Sequence, residues 1–323
     1  MKLGVFTVLY RELAFEQMLD KVKALGLDAV ELGTGNYPGN HHCDPDELLA
    51  DPTKATAFRR AVESRGLVIS ALSQHGNPVH PDAEFAKRDR EVFDKTIRLA
   101  EVLEVPVVNA FSGCPGDHAG AKYPNWVTCP WPDDFLKVLE WQWDEVVIPY
   151  WTDAAELARA HGVTKIALEM HPGFVVYNPE TLLKLRAAVG ESIGANLDPS
   201  HLFWQGIDVV EAIKVLGADN AIFHVHAKDT FVDRRNVAVN GNLDTKHYDR
   251  VLERAWTFRT VGYGQGERTW RDFVSALRAV DYDYVLSIEH EDQLMSMDEG
   301  LRKAIELLQA VVIREEKPKM WWA

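Results

Sequence analysis

Short apolar runs alternate with longer amphipathic stretches about eight times along the chain. Candidate strands begin near Leu3, Ala29, Leu67, Val105, Lys165, Ile193, Ile222 and Tyr284. The intervals carry a helical period instead: Phe15, Met18, Leu19, Val22 and Leu25 recur three and four residues apart, which gathers them on one helix face. Further helices are expected over 83–103, 136–160, 179–189, 270–280 and 297–312.

Strand–helix alternation predicts a parallel sheet covered by helices, and eight units predict an α/β fold of the (β/α)8 TIM-barrel type, one domain over 1–323. A doubly wound sheet would need fewer units and a phosphate-binding turn after its first strand, where this chain reads Val8 to Glu12 with no glycine. Two connections are long, 111–132 and 230–268, and long loops in compact domains are usually lids or interface elements.

Active groups of such a barrel sit where strands end. The fifth strand ends in Glu169 and His171, the sixth in Asp198 and His201, the seventh runs His224-Val-His226-Ala-Lys228, and the eighth ends in Glu289, His290 and Glu291. Strand residues two apart share a face. Polar residues therefore face the barrel axis (Glu169 with His171; His224, His226 and Lys228; Ser287, Glu289 and Glu291), while Phe223, Val225 and Ala227 are expected to face the helices. Glu169, Asp198, His226 and Glu289 then crowd one axis, and buried carboxylates repel unless a cation lies between them. Three carboxylates and one imidazole suit one divalent ion, Mn²⁺ first, with Mg²⁺, Co²⁺ or Zn²⁺ as alternatives.

Composition narrows the partners. A formal net charge of -14 disfavours a nucleic-acid ligand, whose affinity comes from cationic groups. No run of eighteen apolar residues is present, so no membrane span is expected, and the odd set Cys43, Cys114 and Cys129 suits free thiols in the cytoplasm.

Four segments carry a resemblance: Leu168-Glu-Met-His-Pro172, Asn196-Leu-Asp-Pro-Ser-His201, His224-Val-His-Ala-Lys-Asp229 and Leu286-Ser-Ile-Glu-His-Glu291. Together they resemble the xylose isomerase-like barrels of the sugar isomerase and epimerase superfamily, which includes ketose 3-epimerases, hydroxypyruvate isomerase, inosose dehydratase and endonuclease IV. The resemblance implies that Glu169, Asp198, His226 and Glu289 are metal ligands, that Glu169 and Glu289 are also the acid and base, and that His201 orients substrate. It also implies a homo-oligomer and a glycine turn, Gly262 to Gly266, before the seventh helix.

The chemistry expected is proton abstraction beside a sugar carbonyl through a metal-stabilised enediolate, giving an isomerase or epimerase. A metal-dependent lyase or dehydratase, eliminating from a 3-keto sugar, 3-keto glycoside or inosose, is the alternative, with His171 as imidazole base. Other classes are a non-catalytic sugar-binding subunit and an endonuclease IV-like enzyme, which would need more metal ligands and a basic groove. Lys228 and His75 are expected to touch substrate, Trp204 to form an apolar wall, and Trp126 and Trp131 to close the pocket. His224 reads as a supporting imidazole and Glu31 as an inward carboxylate open to a salt-bridge role; Trp141, Trp143 and Trp151 read as core or interface. Glu291, Asp292, Asp298 and Glu299 near the last strand disfavour a phosphorylated substrate, leaving a neutral sugar or polyol. The ketose epimerases carry an arginine shortly after the ligand histidine; here Arg234 and Arg235 stand in shifted positions. The terminal Trp321 and Trp322 are expected to dock on the body or on a partner subunit.

Overall fold

The computed structural model describes residues 1–322. Eight parallel strands close a barrel: β1 (Lys2–Phe6), β2 (Ala29–Gly33), β3 (Val68–Ser73), β4 (Val107–Phe111), β5 (Lys165–Glu169), β6 (Ile193–Leu197), β7 (Ile222–Ala227) and β10 (Val285–Ile288). The order around the barrel is β1-β10-β7-β6-β5-β4-β3-β2, so sequence neighbours pair and β10 seals the ring on β1. The strands begin within two residues of the expected positions, because short apolar runs bounded by turns leave little freedom in register.

Helices pack outside. The one over Phe15–Ala24 buries Met18, Leu19 and Val22, the residues whose spacing predicted it. Trp143 and Trp151 are core, as their helical setting implied, with Trp151 edge-on to Phe93. Among the described residues no helix is long and apolar enough to cross a membrane.

One strand departs from the expected alternation. The β6–β7 register shifts so that Ala195 pairs Ile222 while Asn196 pairs His224, a bulge that places Phe223 out of sequence. Its ring lies against Gly194 and clusters with Ala71, Val107 and Ala167, filling the barrel floor instead of facing the helices. A Cβ at residue 194 would come within 2.4 Å of that ring, so glycine is required there.

The segment 230–268 is not a bare loop. It holds β8 (Asp229–Val232), a helix over Arg234–Asn240 and β9 (Trp256–Arg259), with β8 and β9 antiparallel. Asp229 anchors its return: the carboxylate accepts N–H bonds from Thr230, Gly262, Gly264 and Gln265 and from the Trp270 indole. Gly264 passes so close to the Thr230 carbonyl that a Cβ would lie 2.3 Å away. The glycine turn is thus a cradle for a carboxylate of the protein itself. Trp321 and Trp322 are exposed, against the expectation that they dock on the body: the two rings meet edge-on and find no apolar cover.

Candidate metal centre

The polar ends of β5, β6, β7 and β10 converge. One donor atom from each of Glu169, Asp198, His226 and Glu289 lies within 4.8 Å of every other. Each is positioned by its own local device. Asp198 caps the helix Pro199–Gln205, accepting the Ser200 N–H through Oδ1 at 2.8 Å, which leaves Oδ2 turned to the cluster. Glu169 closes β5 and receives Asn196 Nδ2 at 3.3 Å and His201 Nε2 at 3.1 Å. His226 presents Nδ1 to Oε2 of Glu289 at 3.1 Å and to Oε2 of Glu169 at 3.3 Å.

Asp198 Oδ2 and Glu289 Oε2 are buried without a hydrogen-bond donor. Lys228 Nζ approaches them to 3.1 and 2.8 Å as an ion pair, yet its geometry satisfies neither oxygen. Orphaned anionic oxygens aimed at one point are what a cation would satisfy, so these residues fit a divalent ion. A second grouping, Glu169 with His171 and His201, shares a carboxylate with the first.

The charges are strongly coupled. Burial pushes Glu169 up, but bonds from His201, His226 and His75 overcome it and hold the carboxyl well below its usual range. Burial likewise raises Glu289, and Lys228 and His226 outweigh it, bringing it down to about 2. Burial would lower His226, whereas Glu31 and Glu289 hold it well above its usual value. Lys228 follows the same logic: burial lowers it, and Asp198, Glu289 and Glu291 raise it well above the ordinary lysine range.

A cavity of about 560 Å³ opens onto the centre. Glu169, His171, Lys228 and Glu289 line it together with Phe6, Tyr37 and Phe111. His75 also lines it, with Nε2 3.0 Å from Glu169 Oε2. His171 keeps an edge on the cavity, and burial, with His201 next, pushes it down to about 3, so the imidazole is neutral at physiological pH.

Several expected contacts fall elsewhere. His201 is almost wholly buried, with Nε2 3.1 Å from Glu169 and 3.3 Å from Asp198, and is not among the side chains that line the cavity. Trp204 stacks on Trp256 with ring centroids 4.6 Å apart and packs the 230–268 excursion, because the short helix after Asp198 turns it outward. The aromatic ring that does reach this side is Phe258, edge-on to His201 and beneath the Lys228 ammonium at 4.7 Å. Trp126 packs edge-on against Tyr177 and Trp131 is exposed; neither lines the cavity. Arg234 and Arg235 are exposed to solvent.

A polar floor lies beneath the centre, of which the sequence marked His224 and Glu31 alone. His224 is fully buried, with Nε2 3.2 Å from Ser70 Oγ and Nδ1 3.0 Å from Asn196 Oδ1, which agrees with a supporting role. Asn109 and Asn196 join it, and only their inward strand parity could have marked them.

Comparison with known proteins agrees with this architecture. A Bacillus subtilis (strain 168) protein, the uncharacterised YfiH, is 42% identical over 314 residues, covering 97% of this chain and 99% of its own length. The probable 3-DHS dehydratase AsbF from Bacillus anthracis superposes with a TM-score of 0.66 at 17% identity, over 96% of this chain and 99% of that one. A D-tagatose 3-epimerase-like protein gives a TM-score of 0.63 at 20% identity, over 96% and 98%. The family model for xylose isomerase-like TIM barrels matches residues 19–311, and with its closed eight-stranded barrel the chain belongs to that family.

Proposed function

We propose that the protein is a divalent-metal-dependent sugar isomerase or epimerase that moves a proton beside a sugar carbonyl. The observation that carries this reading is the convergence of four donors, two of whose oxygens are buried without a hydrogen-bond donor. A divalent ion held by Glu169, Asp198, His226 and Glu289 would polarise the carbonyl and make the neighbouring C–H more acidic. Manganese is the first choice for this oxygen-rich set.

The chain's own residues supply the rest. Glu169 and Glu289 reach the cavity from β5 and from the end of β10, separated by β6 and β7. One carboxylate can take the carbon-bound proton and the other return it; return to the opposite face gives epimerisation, and return to the adjacent carbon gives isomerisation. Lys228 can donate to a sugar oxygen, and Phe6, Tyr37 and Phe111 keep water from part of the cavity wall. Three carboxylates are matched in charge by one divalent ion and the Lys228 ammonium, so a neutral sugar or polyol suits the site better than a phosphorylated one.

Elimination is a second reading, favoured by two observations. His171 lines the cavity and offers an imidazole apart from the two glutamates, and both arginines after His226 are exposed instead of entering the site as the ketose-epimerase pattern requires. The resemblance in fold to a dehydratase is compatible with it.

One experiment separates these readings. Metal-loaded protein is incubated in D₂O with ketoses, inososes and 3-keto glycosides, and deuterium uptake and products are followed by NMR. Metal-dependent exchange into substrate with a rearranged sugar is expected; release of a leaving group would transfer the assignment to a lyase, and no exchange across the panel would refute both.

A further inference from the structure

Glu31 is fully buried on β2 and does not line the cavity. Oε1 accepts the Ser73 hydroxyl at 2.6 Å, Asn109 Nδ2 at 2.9 Å and His226 Nε2 at 3.0 Å. Oε2 accepts the Ser287 hydroxyl at 2.6 Å and the same Nε2 at 3.1 Å. The donors come from β3, β4, β7 and β10, so the carboxylate is held from four strands. Its His226 partner lies 195 residues away in sequence.

We infer that Glu31 is a positioning residue for the metal centre: it holds the His226 ring by the Nε2–H, so that Nδ1 is the nitrogen offered to the ion beside Glu169 and Glu289. This rests on the metal-dependent reading proposed above. An imidazole rotates about its ring bond unless one nitrogen is tied. A carboxylate on the far nitrogen fixes both tautomer and orientation and makes the near nitrogen a better donor. Phe6, stacked on His226 at 5.8 Å, supports the ring face but cannot choose between its nitrogens.

Two plainer accounts fit less well. Glu31, His224 and His226 could be taken for a separate cation site, since their donor atoms lie within 4.8 Å of one another. However, both Glu31 oxygens already accept short bonds from hydroxyl hydrogens, and His224 is engaged by Ser70 and Asn196, so no donor there is unclaimed. Glu31 could equally be a structural link between strands. A link between strands would be served by the Ser73, Asn109 and Ser287 bonds alone; the bonds to His226 Nε2 are what tie this carboxylate to the donor cluster.

The test is Glu31→Gln, which keeps the shape and removes the charge. Titration with Co²⁺ by calorimetry and visible absorption should show affinity about 10- to 100-fold weaker than in the unaltered protein. In the zinc-loaded form, the ¹⁵N spectrum of His226 should lose the downfield, slowly exchanging Nε2–H signal that the unaltered protein displays. Affinity within twofold of the unaltered protein and an unchanged His226 spectrum would overturn the inference while leaving the metal site standing. If the unaltered protein bound no divalent ion, the functional reading would fail first. Should Glu31→Gln not fold, Ser287→Ala carries the test: it removes one donor that aims Oε2, and weaker Co²⁺ binding is expected, with unchanged binding counting against the role.

Discussion

The Lys228 ammonium lies 2.8 Å from Oε2 of Glu289, inside the cluster of carboxylates rather than beyond it. A cation bound there would share the site's negative charge with the lysine, and the two positive charges would partly compete.

Lys228→Met separates the two roles. Removing a positive charge 3.1 Å from Asp198 and 2.8 Å from Glu289 leaves those carboxylates more available, so divalent affinity should hold or rise. Turnover should fall, because the donor facing the cavity is gone. A loss of about 100-fold in kcat/KM corresponds to about 2.7 kcal/mol of transition-state stabilisation. Calorimetry with Mn²⁺ beside steady-state kinetics would read both, and a parallel collapse of metal binding would contradict this division.

Metal removal should lower stability as well as activity. An ion that binds the folded chain alone contributes about 2.7 kcal/mol at a free concentration 100 times its Kd. For a domain of this size that is on the order of 5 °C in melting temperature. Differential scanning calorimetry after chelation, then after adding back Mn²⁺, checks it; a melting temperature indifferent to both steps would speak against a site built from Glu169, Asp198, His226 and Glu289.

Glu169→Gln and Glu289→Gln should each abolish deuterium exchange in otherwise folded protein. His224→Ala should behave oppositely. It strands Ser70 and Asn196 in a buried floor, at a cost of about 1–3 kcal/mol in stability, yet removes nothing that lines the cavity. Loss of exchange in a folded His224→Ala variant would promote that residue from support to chemistry.

What could be read from the sequence divides along physical lines. Strand ends were legible, because alternation puts residues two apart on one face and the barrel turns every such face inward; this is why Glu169, Asp198, His226 and Glu289 could be grouped without a structure. Phe223 broke the rule because a bulge inserts a residue without leaving a mark in composition. Trp204 was misread because closeness to Asp198 in sequence said nothing of the helix that turns it onto Trp256. The Glu31–His226 bond spans the barrel, and no local pattern reports a contact between β2 and β7. Asp229 stood inside a quoted motif, but its role needed the backbone of a turn more than thirty residues later.

That turn yields a stability prediction. Asp229→Ala leaves five donors without their acceptor: four backbone N–H groups and the Trp270 indole. Buried donors left unpaired cost about 1–3 kcal/mol, so a loss of at least that size in denaturant melts is expected. Limited proteolysis should cut faster between 230 and 268, the segment whose return Asp229 holds.

Acid should loosen the same excursion through Asp244. Burial alone would raise this carboxyl, but the Ala255 and Lys246 N–H groups and the Lys246 ammonium outweigh it, bringing it from 3.8 to about 2. A depressed folded-state pKa means that the unfolded chain takes up the proton first as pH falls. The stabilisation is therefore fully present above about pH 4, declines as pH drops below the unfolded value and is spent once the folded value is passed. Asp244→Asn should be less stable than the unaltered protein at neutral pH and should show a shallower loss of stability between pH 4 and 2. Parallel acid limbs for the two proteins, measured by urea melts at stepped pH, would mean that this carboxylate does not hold the 230–268 excursion in place.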